Sequence, residues 1–334
     1  MVSSWRSSAP VRVALVASLV GGVAVGGYAF ESARAGSSGE GGDSSAAGSS
    51  SQPASDSSAP VASFTTASVG DCVTWDVDAA GAVSQFGQTD CARPHRFEIS
   101  AREDLGAYPS SEFGPKADMP GVARQAELRE ELCQGPTIKY LKGHFDPVGR
   151  YSVASILPPR EQWEAGDRTM LCGVQVTNDD GSVELTLGSA LNQDQARIAQ
   201  AGECVAVDDA EVPRVVDCGA EHSYEVTKVI DLQEVFPDRV PSIEDQDNYL
   251  KPVCTQAAMD YVGGDDALYY STLQPFWTVV PPNSWSGGSH TVNCTLFFPN
   301  ASGRFAGLVG SAKSGFTIDG QPPQKLPERN PIRQ

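Results

Sequence analysis

The sequence predicts an α+β protein with two tandem homologous modules after an N-terminal membrane segment. Each module is expected to be an antiparallel sheet with one main helix, held by disulfides. Three observations support this prediction. Eight cysteines fall into two quartets in the same sequence frame. Short runs rich in Val, Ile, Phe, Tyr and Thr surround the cysteines and are typical of strands. One stretch of helical periodicity lies in each half.

The cysteine quartets define an internal repeat. Both copies read C-x3-H-x-aromatic-E after the second cysteine, with His95 and Glu98 in one copy and His222 and Glu225 in the other. A tyrosine follows each third cysteine, and Gly-Ser-Ala follows each fourth cysteine, at matching distances. The period is too long for a stacked solenoid, so it indicates a duplicated domain. The quartets are Cys72, Cys91, Cys133 and Cys172, then Cys204, Cys218, Cys254 and Cys294.

An even number of cysteines in an exported chain is typical of a disulfide framework. Four cysteines allow three pairings in each module, and the residues alone do not choose among them. We favour first with second and third with fourth, because the spacing of the last two is nearly constant between copies. A metal site is the alternative, but no C-x2-C pair is present. The favoured pairs are Cys72–Cys91, Cys133–Cys172, Cys204–Cys218 and Cys254–Cys294.

Repeat and composition divide the chain into segments. Residues 65–190 and 202–314 are the two modules, and residues 191–201 are expected to link them. Residues 31–64 are mostly Ser, Gly, Ala, Asp and Pro, which bury too little apolar surface to fold. Residues 315–334 are rich in proline and are also expected to be disordered.

Residues 13–30 contain no charged side chain and, as a helix, are long enough to cross a bilayer core. Basic residues precede them, so residues 1–12 are expected to stay in the cytoplasm and the rest of the chain to lie outside. An uncleaved signal anchor fits the length and predicts a single-pass protein of the cell membrane. A cleaved signal peptide, with Ala33-Arg34-Ala35 as its cleavage site, is the alternative and predicts a secreted protein.

One helix is expected in each module. Residues Val122–Gln134 carry apolar side chains on one face, and Gly135-Pro136 is expected to end this helix. In module 2, Pro252 is expected to mark the start of the regular helix, because proline is tolerated in a first turn. Each third cysteine then faces inward from a helix and can reach the fourth cysteine in a strand.

The repeated histidine and glutamate are the most enzyme-like residues of the chain. A histidine and a carboxylate within hydrogen-bond reach can perform acid–base chemistry. Residues three apart in an extended segment point to opposite faces, so neither His95 and Glu98 nor His222 and Glu225 are expected to converge. We favour a structural role, in which the histidine holds the turn after the disulfide; a hydrolase is the lesser alternative.

Aromatic residues provide the candidate binding surface. Trp163 and Trp285 each follow a Pro-Pro pair. They can stack on a sugar or a proline of a ligand, or pack over the strand of the fourth cysteine, which we favour. Tyr269, Tyr270 and Trp277, together with Trp285, form the surface on which we expect a ligand to bind.

The composition excludes several classes of function. The net charge of −18 repels nucleic acid, so no nucleic-acid partner is expected. The sequence contains no nucleophile elbow, no H-E-x-x-H motif, no phosphate-binding loop and no dinucleotide fingerprint. We therefore expect a non-enzymatic protein with no catalytic residue, no metal and no cofactor.

The combined motifs resemble the septum-formation domain of actinobacterial envelope proteins. The resemblance rests on Gly-Asp-Cys-Val at Asp71, on C-x3-H-x-F-E, and on a Pro-Pro pair followed by W-x2-G-x5-C at Trp163 and Trp285. It covers roughly residues 65–312. Module 2 departs from the pattern at Glu203, which replaces the aspartate.

The resemblance implies a membrane segment, a low-complexity linker and a cysteine-bearing ectodomain, without an enzymatic mechanism. It implies a role at the cell envelope that is linked to septum formation and cell division. The partners expected are the cytoplasmic membrane, through the N-terminal helix, and an envelope protein, a division protein or a cell-wall component. A module that binds cell-wall glycan, lipid or peptide is the alternative.

Overall fold

The computed structural model describes residues 64–78, 81, 83–108, 110–178, 181–208 and 211–329. The chain forms two compact units. Among the described residues, the N-terminal unit comprises 64–143 and Tyr151–Gln193, and the C-terminal unit comprises His144–Arg150 and 194–329. The expected membrane segment 13–30 and the linker before Phe64 lie outside the described residues.

The unit boundaries differ from the module boundaries at two places. The sequence places His144–Arg150 inside module 1 (65–190), yet these residues belong to the unit that contains module 2. Residues 194–201, expected to be a linker, belong to the same unit. Module boundaries are read from the repeated sequence and so reflect the duplication. Unit boundaries reflect which residues contact one another in the folded chain, so the two sets need not coincide.

A five-stranded antiparallel sheet forms the N-terminal unit, in the order β2-β1-β3-β5-β4. Phe97, Ile99 and Leu171 on the central strands are fully buried. Strand β2 is not expected from the sequence, because its residues are mostly small or polar; it pairs with β1 along most of its length. The strands are β1 (Cys72–Val77), β2 (Val83–Thr89), β3 (Phe97–Asp104), β4 (Tyr151–Ile156) and β5 (Thr169–Val176).

A second five-stranded antiparallel sheet forms the C-terminal unit, in the order β7-β6-β8-β10-β9. The order matches that of the first sheet, as expected for a duplication. A two-stranded hairpin, β11 with β12, follows it. The strands are β6 (Cys204–Val207), β7 (Pro213–Val216), β8 (Tyr224–Asp231), β9 (Gln274–Trp277), β10 (Thr291–Phe297), β11 (Leu308–Ser311) and β12 (Gly315–Ile318). Both units are α+β.

The main helix of the N-terminal unit continues past the expected stop. Helix α1 (Val122–Leu128) leads into a π-helical turn (Arg129–Cys133) and then into α2 (Gln134–Tyr140). Gly135-Pro136 therefore does not end the helix, and that prediction is wrong. A π turn widens the hydrogen-bond ladder immediately before Pro136, which lacks an N–H, so the backbone accommodates the ring.

The main helix of the C-terminal unit, α4, spans Ile243–Val262 and contains Pro252 in its interior. The expectation that the helix begins at Pro252 is therefore wrong. Its start is fixed earlier, by a capping box in which Ser242 and Asp245 satisfy each other's backbone N–H groups. Pro252 is exposed, so its ring lies on the outer side of the helix. The short helices are α3 (Arg160–Glu164), α5 (Asp265–Ser271) and α6 (Pro282–Ser286).

Disulfides join helix to sheet in each unit. Cys133 and Cys172 lie in a core with Leu128, Trp163 and Met170. In the other unit, Cys254 and Cys294 pack with Leu250, Trp285 and Val292. The four bonds are Cys72–Cys91, Cys133–Cys172, Cys204–Cys218 and Cys254–Cys294, which are the pairs that the spacing favours.

The tail 315–334, expected to be disordered, contains regular structure. Gly315–Ile318 forms β12 and pairs with β11. The Asp319 side chain accepts a hydrogen bond from the N–H of Gly307 at 2.9 Å, which closes the hairpin. The expectation was based on the prolines, which begin only after β12. Within the described part of the chain, no helix combines the length and apolar character required to cross a bilayer.

Candidate functional site

Glu98 of the repeated motif lies at a buried junction of three elements in the N-terminal unit. It is 1% exposed. Its Oε1 accepts hydrogen bonds from the hydroxyls of Tyr140 (2.5 Å) and Ser189 (2.7 Å), and its Oε2 accepts one from the N–H of Ala190 (2.6 Å). One carboxylate thus joins strand β3, helix α2 and the turn after Gly188. These bonds offset the cost of removing the carboxylate from water.

The C-terminal unit contains the same junction. Glu225, also 1% exposed, accepts hydrogen bonds from the hydroxyls of Tyr261 (2.5 Å) and Ser311 (2.7 Å) and from the N–H of Ala312 (2.7 Å). The sequence shows that the tyrosine and the Gly-Ser-Ala triplet repeat, but it does not show what they contact. The structure identifies them as the donors to the buried glutamate.

Each motif histidine holds the turn that precedes its strand. The Nδ1 of His95 lies 2.9 Å from the carbonyl oxygen of Arg93, and the Nδ1 of His222 lies 3.0 Å from that of Ala220. Both histidines are 2% exposed. The copies differ at Nε2, which contacts the Thr186 hydroxyl at 3.2 Å in His95 but has no hydrogen-bond partner in His222.

The expectation that histidine and glutamate point apart is wrong. The ligand atoms of Cys72, His95 and Glu98 lie within 4.8 Å of one another, and those of Cys204, His222 and Glu225 do the same. The histidine precedes strand β3 or β8, and the residue between it and the strand is a bend, so the alternation of an extended strand does not apply.

The chemistry open to these clusters is limited by bonds already formed. The sulfur atoms of Cys72 and Cys204 are in disulfides, so neither is a thiolate that can bind a metal. The oxygens of Glu98 and Glu225 already accept three hydrogen bonds each. Histidine and glutamate are therefore neighbours that bond to different groups.

Three tyrosines, the buried Tyr224 and the half-buried Tyr140 and Tyr261, have raised pKa values. Burial, and next the hydrogen bond to the glutamate, raise the pKa of Tyr140 and of Tyr261 above the usual value. Burial raises the pKa of Tyr224 to about 12. Tyr140 and Tyr261 therefore remain protonated donors to the carboxylates well above neutral pH.

The acidic residue before each first cysteine has a local role. Asp71 Oδ2 accepts a hydrogen bond from the N–H of Ser68 at 2.7 Å. Glu203 replaces the aspartate in module 2 and accepts one from the N–H of Gln200 at 2.6 Å. The substitution in module 2 therefore preserves the turn.

The two repeated tryptophans are buried, so neither offers a stacking face to a ligand. Trp163 is 2% exposed and Trp285 is 8% exposed. The guanidinium of Arg168 lies 4.1 Å from the ring centre of Trp163. His290 occupies the matching position in module 2 and meets Trp285 edge-on, with ring centres 4.8 Å apart. Trp285 is thus removed from the expected binding surface.

The other expected surface residues are only partly available. Trp277 is half-buried and donates from Nε1 to Asp247 Oδ1 at 2.9 Å. The hydroxyl of Tyr269 lies 3.3 Å from the carbonyl oxygen of Pro327, and the hydroxyl of Tyr270 lies 3.4 Å from the N–H of Arg329. The chain's own tail therefore contacts both tyrosines.

Sequence reasoning missed a buried network in the C-terminal unit. Asp146, 3% exposed, accepts hydrogen bonds from the hydroxyls of Ser284 (3.2 Å) and Ser289 (2.6 Å). Gln195 accepts from the N–H of Asp146 at 2.9 Å. A Cβ on Gly287 would lie 2.8 Å from Phe145 O, which shows how closely the segment His144–Arg150 packs. The only signal in the sequence is that the repeats diverge there.

Comparison with known families assigns the chain. A model of the septum formation family matches residues 69–294, more than half of the sequence. The chain belongs to the septum formation family. The matched residues include both cysteine quartets, both motif histidines and both buried glutamates, whereas Ser311 and Ala312, which donate to Glu225, lie beyond the matched range.

Two curated relatives come from Mycobacterium tuberculosis, strains CDC 1551 / Oshkosh and H37Rv, and each is named an uncharacterized membrane protein. Each is 32% identical to this chain over 271 residues, which is 80% of this chain and 60% of the relative. The chain therefore spans about 60% of the length of the curated relatives that it matches. No solved structure matches the chain.

Proposed function

We propose that this septum formation protein is a non-enzymatic, membrane-tethered envelope protein that acts outside the cytoplasm through protein or cell-wall interactions during septum formation. The observation that carries the proposal is that the motif residues make structural contacts inside each unit. In both units the repeated glutamate accepts three hydrogen bonds while buried, and the repeated histidine binds a backbone carbonyl. The family motif thus supports a scaffold that presents surfaces.

The location outside the cytoplasm is supported by the cysteines. All eight are paired in disulfides, and such bonds persist in oxidising compartments. The two relatives are named membrane proteins, and residues 13–30 of this chain are uncharged and long enough to span a bilayer.

Localisation in the native host tests the division role. We would fuse the full chain to a fluorescent protein that folds outside the cytoplasm, with a fusion of residues 1–63 alone as the matched control. Enrichment of the full chain at septa, with even labelling by the control, is the expected result. Even labelling by both fusions, together with normal septa in a deletion strain, would exclude a role in division.

The non-enzymatic assignment has its own test. Purified protein would be incubated with isolated cell wall, beside the variant His95→Ala/His222→Ala. We expect no release of soluble fragments by either protein. Release by the wild type that the double variant loses, while its circular dichroism spectrum is unchanged, would identify a hydrolase and contradict the proposal.

Ligand binding is a second candidate function, favoured by a groove in the C-terminal unit. The groove has a volume of about 540 Å³ and lies between α4 and β8, with Pro252, Val253 and Ala257 as its apolar wall and Lys228 and Asp260 among its polar residues. This volume is within the range of small-molecule sites. Gln256→Trp would fill the groove, and Lys251→Trp, on the same helix but outside the groove, is the matched control. Equal retention of the wild type and both variants on isolated cell wall would exclude this site.

A further inference from the structure

The face of helix α5 that carries Asp265, Asp266, Tyr269 and Tyr270 contacts the tail of the chain itself. We call these four residues the tail-binding surface. The sequence singles out its two tyrosines as candidate ligand contacts, and the structure shows what lies on them: Pro327 and Arg329 of the proline-rich tail.

The contacts are those by which proteins recognise proline-containing segments. The rings of Tyr269 and Tyr270 stand at 71° to each other with centres 5.1 Å apart, in an edge-to-face arrangement. The hydroxyl of Tyr269 lies 3.3 Å from the carbonyl oxygen of Pro327. Aromatic side chains that bind backbone carbonyl groups of an extended proline-rich segment are the recurring mode for such ligands.

Two carboxylates of the tail-binding surface bind the arginine of the tail. The guanidinium of Arg329 forms an ion pair with Asp265, lies 3.6 Å from Asp266, and stacks with its carbon 4.6 Å from the ring centre of Tyr269. Two carboxylates and an aromatic face thus surround one guanidinium. Arginine suits this arrangement better than lysine, because its planar group can pair with carboxylates and stack at the same time.

The tail is held in a way that permits exchange. Pro327, Glu328 and Arg329 are exposed, and so are Asp265, Asp266 and Tyr270. Exposed ion pairs contribute little to stability. The tail keeps its place mainly because it is attached to the same chain, which supplies a local concentration on the order of millimolar for a short tether.

We propose that the tail-binding surface is an interaction site for segments in which one residue separates a proline from the arginine that follows it, and that the chain's own tail occupies it until a partner with such a segment displaces it. The partner is a protein of the envelope that exposes a proline- and arginine-containing stretch. This assignment rests on the proposed interaction role for its biological meaning, but binding can be measured without reference to septa.

Peptide titration tests the proposal. The probe is a synthetic peptide of residues 322–329, and the receptors are the full chain and a chain that ends at Gln321, which retains β12. Amide shifts of Asp265–Ser271 would be followed by NMR. We expect the shortened chain to bind the peptide in the millimolar range, and the full chain to require several-fold more peptide because the tethered tail competes.

Matched variants separate this surface from the general acidity of the protein. In the shortened chain, Asp265→Asn/Asp266→Asn is expected to weaken binding about tenfold, whereas Glu244→Gln, an exposed acid in the first turn of α4, is expected to leave it unchanged. Glu244 lies about 27 Å along the helix from the end that precedes α5, and exposed charges farther apart than a Debye length are screened. Peptides with Arg329→Gln or Pro327→Ala are expected to bind more weakly than the parent peptide.

Three outcomes would overturn the proposal. The first is the absence of shifts at Asp265–Ser271 in the shortened chain at the highest soluble peptide concentration. The second is equal weakening by Glu244→Gln and by the double variant, which would show non-specific attraction. The third is a concentration-dependent dimer of the full chain that Arg329→Gln abolishes, which would assign the surface to the tail of a second copy. None of these results bears on septal localisation, so the two proposals fail separately.

Discussion

The hydroxyl of Tyr261 lies 2.5 Å from a carboxylate oxygen of Glu225, and Tyr140 stands in the same relation to Glu98. Each pair connects the end of a main helix to a central strand. The repeat of this contact in both units explains why a tyrosine recurs at a fixed distance after the third cysteine. It also allows the strength of the junction to be measured twice in one chain.

Removing a tyrosine hydroxyl should destabilise the unit that contains it. Tyr261→Phe leaves the buried carboxylate of Glu225 without one of its three donors, and a hydrogen bond to a charged group contributes about 1.5–3 kcal/mol. We expect a loss of that size in urea denaturation. Tyr249→Phe, a half-buried position on the same helix, is the control and should cost much less. Because both variants keep the aromatic ring, equal losses would show that the bond between Tyr261 and Glu225 contributes nothing specific to stability.

Stability should fall at alkaline pH. Burial raises the pKa of Tyr224 to about 12 from an ordinary value of 10.0, and the pKa values of Tyr140 and Tyr261 are also raised. Above pH 10 the unfolded chain loses these protons first, so the native state binds more protons and the free energy of unfolding decreases. Below pH 10 these groups contribute no pH dependence.

Denaturation at pH 8 and at pH 11 measures this effect. The triple variant Tyr140→Phe/Tyr224→Phe/Tyr261→Phe should be less stable than the wild type at pH 8. Its free energy of unfolding should decrease less than that of the wild type between pH 8 and pH 11. A wild type that loses no more stability than the variant between the two pH values would disprove the assignment.

The four disulfides should differ in how much they contribute to the free energy of unfolding. In the chain-entropy model, closing the 39- and 40-residue separations stabilises each unit by about 4 kcal/mol, and closing the 19- and 14-residue separations by about 3 kcal/mol. Cys133→Ser/Cys172→Ser should therefore cost more than Cys72→Ser/Cys91→Ser. Non-reducing peptide mapping of protein from the native host checks the pairing directly, and eight free thiols there would refute the disulfide framework.

Two glycine-to-alanine substitutions should change the free energy of unfolding in opposite directions. A Cβ on Gly173 in β5 would lie 2.2 Å from the carbonyl oxygen of Glu98 and 2.5 Å from the ring of Phe97, so the strands must separate. Overpacking of this kind costs about 1–3 kcal/mol. Apart from its chain neighbours and the backbone of its own helix, a Cβ on Gly135 in α2 meets no atom within 4 Å, and alanine is the better helix former by about 1 kcal/mol. Denaturation midpoints should fall for Gly173→Ala and rise for Gly135→Ala; a rise for both would mean that β5 and β3 are not as close as described.

Part of the candidate site was accessible from the sequence. The repeat alone singled out His95, Glu98 and their counterparts as a motif, and the preference for a structural role agrees with their buried contacts. The prediction that histidine and glutamate point apart failed, because it assumed an uninterrupted strand where the chain bends before β3 and β8.

Predictions based on proline positions were wrong for both main helices and for part of the tail. Pro136 and Pro252 are inside helical segments because a π turn in one case, and solvent exposure in the other, accommodate a residue without an N–H. In the tail, proline marked the segment as unstructured, whereas its neighbours pair as β12 and contact α5. Local propensity carries no information about partners that lie far away in the chain.

The amino-acid sequence by itself determined the duplication, the α+β class and the family, because these depend on periodicity and on the spacing of cysteines, which are properties of neighbouring residues. Only the tertiary structure decided that Glu98 receives donors 42 and 91 residues away, and that the tail contacts Tyr269 and Tyr270. Such contacts form when packing brings distant segments together, and the energy that selects them comes from burial and hydrogen bonding across the whole unit.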